Sequence, residues 1–230
     1  MIELPAITLL DVRGSAASIR GLSHSENQDA WLMVRSNKGG ALYAVCDGVS
    51  SARRGRWAAQ HTCRRLRSLF HEDFELGLTD LLRLIGEVDW ELREGGRGDA
   101  ACTLSLVWLR HNQACTLHIG DSSIFRVRAG RVSTLSEEMS RGAQLISYMG
   151  MGPVVSDRIE VRCEAVQADD AYVLVTDGVS RLMRPTELAG WWLRCQAEPE
   201  RFVRGVVAEV HRRKGPDDAT VVALGITGGL

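Results

Sequence analysis

The sequence is poor in proline, with 5 in 230 residues, and holds no apolar run approaching the length of a membrane span. The first scarcity leaves no proline-rich linker, and no repeat or low-complexity tract marks a domain boundary either. The second excludes a transmembrane helix, which needs ~18 or more consecutive apolar residues. A surplus of one charge is also missing: 28 Lys+Arg stand against 29 Asp+Glu, for a formal net charge of −1. That balance argues against a nucleic-acid binder working through a broad basic face. The opening stretch MIELPAITLLDVRGSAAS lacks the basic start and long apolar core of a signal peptide. No CxxC pair occurs among Cys46, Cys63, Cys102, Cys115, Cys163 and Cys195. Scattered cysteines in apolar runs read as small buried hydrophobes in a reducing compartment, not as a disulfide framework. The expected location is the cytoplasm, with neither membrane nor nucleic acid as a partner. A GxSxG elbow and a Cys-centred phosphate loop are absent too, which removes the common signatures of a nucleophilic side chain.

What is present is a chain that is 45% hydrophobic and 25% charged. As one domain over residues 1–230 it would bury roughly 70–75% of its extended-chain surface. ITLLDV, AWLMV and ALYAVC read as early strands. A helical stripe then runs from Arg53 to Phe70, and a second from Leu76 to Glu94. Strands are expected at Cys102–Leu109, Ala114–Ile119, Ile124–Arg128 and Val132–Leu135. Arg158–Val166 alternates Ile159, Val161, Cys163 and Ala165 with charged neighbours, as in a half-buried strand, and Tyr172–Thr176 is a continuous apolar strand. Helices near Pro185–Cys195 and Pro199–Lys214 precede a last strand, Ala219–Leu224. Strands grouped in this way predict an α+β chain with packed antiparallel sheets and outer helices, not an alternating βαβ fold.

The informative feature is where the aspartates fall. Asp47 and Asp177 each end an apolar strand and precede a glycine; Asp121 ends TLHIG; Asp217 and Asp218 precede the last strand, and Asp29 precedes AWLMV. One such aspartate is an ordinary turn residue. Several gathered at one end of a sheet would repel one another unless a cation offset their charge. Carboxylates without Cys or His at ligand spacing suit Mg²⁺ or Mn²⁺ rather than zinc. Two such ions roughly 3.5–4 Å apart can activate a bridging water against phosphorus.

Six ordered motifs carry a family resemblance over nearly the whole chain: NQDAW (27–31), AVCDGVSSARRGRWAA (44–59), ACTLSLVWL, HIGDSSIFRVRAGRVSTLS (118–136), VLVTDGVSRLM (173–183) and DDATVVAL (217–224). Together they resemble the metal-dependent protein phosphatases of the protein phosphatase 2C family, in a compact bacterial form. The resemblance implies a four-layer α-β-β-α sandwich, with two antiparallel sheets flanked by helix pairs and metals in a cleft at one end. It implies two Mn²⁺ or Mg²⁺ ions and a third, weaker site. Asp47 would bridge the two ions, the Gly48 carbonyl would ligate one, Asp177 and Asp217 would hold the other, and Asp121 would recruit the third. Asp29 would orient the bridging hydroxide or accept a proton. Thr103 and Ser122 would bond nearby backbone.

Three positions depart from the family pattern. His24 stands where many members carry a phosphate-clamping arginine; the resemblance assigns it to the substrate phosphate and to catalysis, without the bidentate fork of arginine. Arg20, or Arg53, Arg54 and Arg56, could supply charge instead. Gln28 replaces an acidic residue before Asp29. Val49, followed by Ser50-Ser51, replaces a histidine proposed as general acid. Glu137–Asp157, with SYMGMGP, is expected as a short cover near the cleft, and Trp191-Trp192 as core. The implied activity is hydrolysis of Ser/Thr phosphate on a phosphorylated protein, the target of a Ser/Thr protein kinase. The alternative is a weak or inactive pseudophosphatase serving as a binding or regulatory module. A narrower variant of the first is a sporulation- or stress-switch phosphatase for one small phosphoprotein.

Overall fold

The computed structural model describes residues 11–36, 38–70, 76–142, 144–152 and 155–227. In chain order its main elements are β1 (Asp11–Ile19), β2 (Ala30–Ser36), β3 (Gly40–Cys46), α1 (Gly55–Ser68), α2 (Leu78–Gly95), β4 (Leu104–Arg110), β5 (Gln113–Ile119), β6 (Ser123–Arg128) and β7 (Arg131–Thr134). There follow a small hairpin, β8 (Ser140–Arg141) and β9 (Gln144–Leu145), then α3 (Val155–Arg158), β10 (Glu160–Ala165), β11 (Ala171–Val175), α4 (Asp177–Ser180), α5 (Pro185–Arg194), α6 (Pro199–Arg212) and β12 (Ala219–Thr227).

The strands form two five-stranded antiparallel sheets, ordered β1-β12-β11-β6-β7 and β10-β5-β4-β3-β2. Period-2 side-chain alternation explains how they stack. Along β3, Leu42, Ala44 and Cys46 turn outward to a core shared with Leu66 of α1 and Ile85 of α2. The intervening Tyr43 and Val45 turn inward against Tyr172, Leu174 and Val222 of the other sheet. On that second sheet Val173, Val175, Val221 and Ala223 face outward, onto Phe202 and Val206 of α6 and Leu188 of α5. The result is the expected order: helix pair, sheet, sheet, helix pair. In α6, buried Phe202, Val203, Val206 and Val210 form one stripe after Pro199 at the first turn. Truncating fully buried Phe202 to Ala would cost about 3–5 kcal/mol.

Three expectations need correction. The first described strand, Asp11–Ile19, runs well past the end of ITLLDV at Val12; residues 7–10 lie outside the described residues. It is half-buried and pairs along its length with β12. In β10 the apolar alternation does not face a core. Val161 and Cys163 are exposed, because β10 is the sheet edge. The charged side of the strand does the joining: Glu164 accepts a hydrogen bond from the Tyr172 hydroxyl at 3.0 Å and pairs with Arg126. Finally, Cys115 and Cys163 are register partners on β5 and β10 and form a disulfide, so these two cysteines are not the free thiols expected. Cys46, Cys63 and Cys102 are free and buried. Trp192 is core, while Trp191 is partly buried against it. Among the described residues, no helix is long and apolar enough to cross a membrane.

Candidate active site

Two Asp-Gly turns build one end of the sandwich. Asp47 leaves the end of β3, and its backbone is tied to Thr103 twice: the Thr103 hydroxyl accepts the Asp47 N–H at 3.0 Å, and the Thr103 N–H donates to the Asp47 carbonyl at 2.8 Å. Ser122 bonds the same hydroxyl at 2.9 Å. Gly48 is required by space, since a Cβ there would sit 2.5 Å from the backbone of Gly55 at the start of α1. Asp177 leaves the end of β11 in the same way, and a Cβ at Gly178 would lie 2.0 Å from the Asp218 carbonyl oxygen. Each glycine lets a second backbone segment approach, which is how both carboxylates reach the same cleft.

Ligand atoms of Asp47, Asp121 and Asp177 lie within 4.8 Å of one another, and those of His24, Asp217 and Asp218 form a second such group. A cleft of about 600 Å³ is lined by Asp47, Asp121, Asp177 and Asp217. Thus the four aspartates expected to share one pocket do share it. Asp29 lies behind, buried. Its Oδ2 accepts hydrogen bonds from Thr220 at 2.6 Å and Thr176 at 2.9 Å. A polar chain from Asn27 through Ser18 to Thr220 supports it, at 2.8 and 2.7 Å.

The electrostatics of this end are unfavourable without a cation. Burial, opposed by the two threonine bonds and aided by Asp218 and Asp177, pushes the Asp29 carboxyl up to about 7. Burial and the charge of Asp177 push Asp121 up to about 6, against the pull of Arg181. Asp47 is raised strongly by burial and then by Asp29 and Asp177, and Asp177 is raised by burial and Asp217. Buried Oδ1 atoms of Asp29 and Asp177 have no hydrogen-bond partner among the described residues. An all-oxygen donor set with orphaned buried oxygens fits a hard divalent ion.

His24 is placed differently from its expected role. Its Nδ1 donates to Asp218 Oδ2 at 2.8 Å, and its Nε2 lies 3.5 Å from Asp217 Oδ1. The Asp218 hydrogen bond raises its pKa, against desolvation. Both ring nitrogens face carboxylates, and the ring is not among the cleft-lining groups. Asp218, buried, also accepts the N–H groups of Gly21 and Gln28, each at 2.8 Å, and so clamps the loop that carries the first motif. Arg20 bonds the His24 carbonyl, Arg56 pairs with Glu26 at 2.6 Å, and Arg54 donates to Gly95 at 2.8 Å. Arg181 was not singled out by the sequence, although it lies in VLVTDGVSRLM. Its Nη2 is 2.7 Å from Asp177 and 3.6 Å from Asp121, and its Nη1 is 3.9 Å from Asp217. The expected cover does reach the cleft through Gln144, Leu145 and Tyr148. It is tied down behind them, where Met149 exchanges backbone bonds with Cys102 and the Gly150 N–H donates to Asp89 at 2.6 Å. Pro153 and Val154 of that segment lie outside the described residues.

The sequence profile of protein phosphatase 2C matches residues 20–219, a span holding every acidic group named above. The chain belongs to the protein phosphatase 2C family. Members are metal-dependent serine/threonine phosphatases that act on phosphoproteins. The phosphatase 2C fold is equally clear in three dimensions. The chain resembles PppA, a key regulatory component of T6SS in Pseudomonas aeruginosa, with a TM-score of 0.83 at 23% identity over 94% of this chain and 97% of that one. It resembles the catalytic domain of the serine/threonine phosphatase PstP, solved with two manganese ions, with a TM-score of 0.79 at 21% identity over 95% of this chain and 99% of that one. By sequence it is 22% identical over 203 residues to stage II sporulation protein E of Priestia megaterium, covering 84% of this chain and 33% of that protein. The chain therefore spans about a third of the length of that curated relative.

Proposed function

We propose that this phosphatase 2C chain, acting as one catalytic domain over residues 1–230, removes phosphate from serine or threonine of a protein phosphorylated by a Ser/Thr protein kinase, in the cytoplasm. The observation that carries the reading is the convergence of Asp47, Asp121 and Asp177 within 4.8 Å, with a buried oxygen of Asp177 left unpartnered. Asp47, the Gly48 carbonyl, Asp177 and Asp217 would hold two Mn²⁺ or Mg²⁺ ions, and Asp121 would hold a third more weakly. When bound, such ions lower the pKa of water and neutralise phosphate charge. Asp29 is held by Thr176 and Thr220 through one oxygen, so Oδ1 is the atom left to orient water or take a proton. His24 fixes the first-motif loop to Asp218 and presents Nε2 toward Asp217. Both ring nitrogens of His24 thus face carboxylates, which gives the imidazole a positioning role at the edge of the site.

The test is hydrolysis of a Ser/Thr phosphopeptide titrated with Mn²⁺ and with Mg²⁺, beside Asp177→Ala. Metal-dependent turnover that the variant loses is the expected result. A second reading, a non-hydrolytic binding module, draws on two observations: Gln28 supplies no carboxylate, and Arg181 already pairs with Asp177. Wild-type protein that binds the phosphopeptide without metal-dependent turnover would favour it.

A further inference from the structure

We propose that Arg181 is the guanidinium that receives the substrate phosphate in this chain, a role the resemblance gave to His24. The inference rests on the phosphatase reading above and deepens it. Phosphate oxygens need positive donors, and among the described residues Arg181 is the one cationic side chain lining the cleft. His24 spends both ring nitrogens on Asp217 and Asp218. Arg20, Arg54 and Arg56 are held by the His24 carbonyl, the Gly95 carbonyl and Glu26. Arg54 also lies over the Trp57 ring, 4.6 Å from its centre.

Arg181 is presented rigidly yet exposed. It follows α4, whose Val179 is fully buried, and its backbone N–H donates to the Asp177 carbonyl at 2.9 Å. The side chain itself is 58% exposed. Of the guanidinium's five N–H donors, one contact to Asp177 is short, while Asp121 and Asp217 lie at 3.6 and 3.9 Å, beyond hydrogen-bond reach. The donor fork therefore stands at the mouth of the acidic cluster and matches a phosphate bidentately. Divalent ions taking up the charge of these carboxylates would weaken their hold on Arg181, leaving the fork to the ester.

The experiment measures inorganic phosphate binding to the Mn²⁺-loaded protein by calorimetry, and Mn²⁺ binding separately by the spin resonance of free Mn²⁺. For Arg181→Ala, phosphate affinity should fall about tenfold or more, while Mn²⁺ binding is retained or tightened. The phosphopeptide KM should rise more than kcat falls. Arg181→Lys, which keeps the charge without the fork, should fall in between and shows that the exposed position tolerates substitution. Phosphate affinity equal to wild type in Arg181→Ala would overturn the inference. So would a loss of Mn²⁺ binding that parallels the loss of phosphate, since Arg181 would then be organising the carboxylates. Wild-type protein that takes up Mn²⁺ but neither binds phosphate nor cleaves the phosphopeptide would instead overturn the phosphatase reading itself.

Discussion

Strand β11 carries a buried aspartate at each end, and the two have opposite surroundings. Asp170, fully buried before its start, is satisfied: Arg128 reaches both its oxygens at 2.6 Å, and the Gln167 N–H donates at 2.8 Å. Asp177, at the far end, faces Asp47, Asp121 and Asp217, with one arginine shared among three carboxylates and one buried oxygen unpartnered. The same strand thus has a closed structural pair at one end and an open acidic cluster at the other. A closed pair adds order to a fold; an open one holds charge that only a ligand can satisfy. The difference separates the end that stabilises from the end that works.

That contrast can be broken in several ways. The largest effect belongs to Asp177→Ala, which should lower metal-dependent phosphopeptide turnover by about 10²–10³-fold without destabilising the metal-free protein, since it relieves repulsion. Asp170→Asn should do the reverse. It should cost about 3 kcal/mol by leaving Arg128 unpaired, read as a drop of roughly 6–12 °C in Tm, with turnover per folded molecule little changed. Next, Mn²⁺ at about a hundred times its Kd should stabilise the wild type by about 2.7 kcal/mol and leave Asp177→Ala almost unmoved in the same thermal melt.

The smallest of these effects is the pH dependence of the metal-free melt. The folded state holds Asp29 at about 7 and Asp121 at about 6, against an ordinary 3.8. Between those values these two carboxyls hold more protons than in the unfolded chain, so their contribution to stability falls as pH rises from about 4 to about 7, against the smaller opposite contribution of buried His118. Saturating Mn²⁺ should flatten this slope. A metal-free protein that gains stability over that interval would mean the acidic end is already compensated, as Asp170 is.

Much of this arrangement was legible from residue order. Apolar strands ending in Asp-Gly placed Asp47 and Asp177 correctly, because period-2 burial fixes where β3 and β11 stop and the glycines allow the close turns. The four longer helices, α1, α2, α5 and α6, lie where they were expected, whereas the single-turn α3 and α4 were not foreseen. The continuation of β1 past Val12 was missed because Gly14, Ser15, Ala16 and Ala17 carry almost no β signal, and their order comes from the ladder with β12. The inward face of β10 was misread because Val161 and Cys163 lie exposed on its outer side, while Glu164, on the side toward the other sheet, makes the inter-sheet bonds. The Cys115–Cys163 bond depends on cross-strand register, which spacing alone does not reveal. Arg181 was not singled out, and Asp218 was placed among the acidic positions without a role, for a shared reason. Each sits beside a conspicuous aspartate, and its importance lies in partners from distant segments: Asp121 and Asp217 for one, Gly21, His24 and Gln28 for the other.

The most direct test of the central claim is anomalous diffraction at the manganese edge from crystals grown with Mn²⁺. Two strong peaks contacting Asp47, Asp177 and Asp217 are predicted, with a weaker one at Asp121 and the Arg181 guanidinium drawn away from Asp177. Ordered, unshifted carboxylates with no manganese among them at saturating concentration would contradict it.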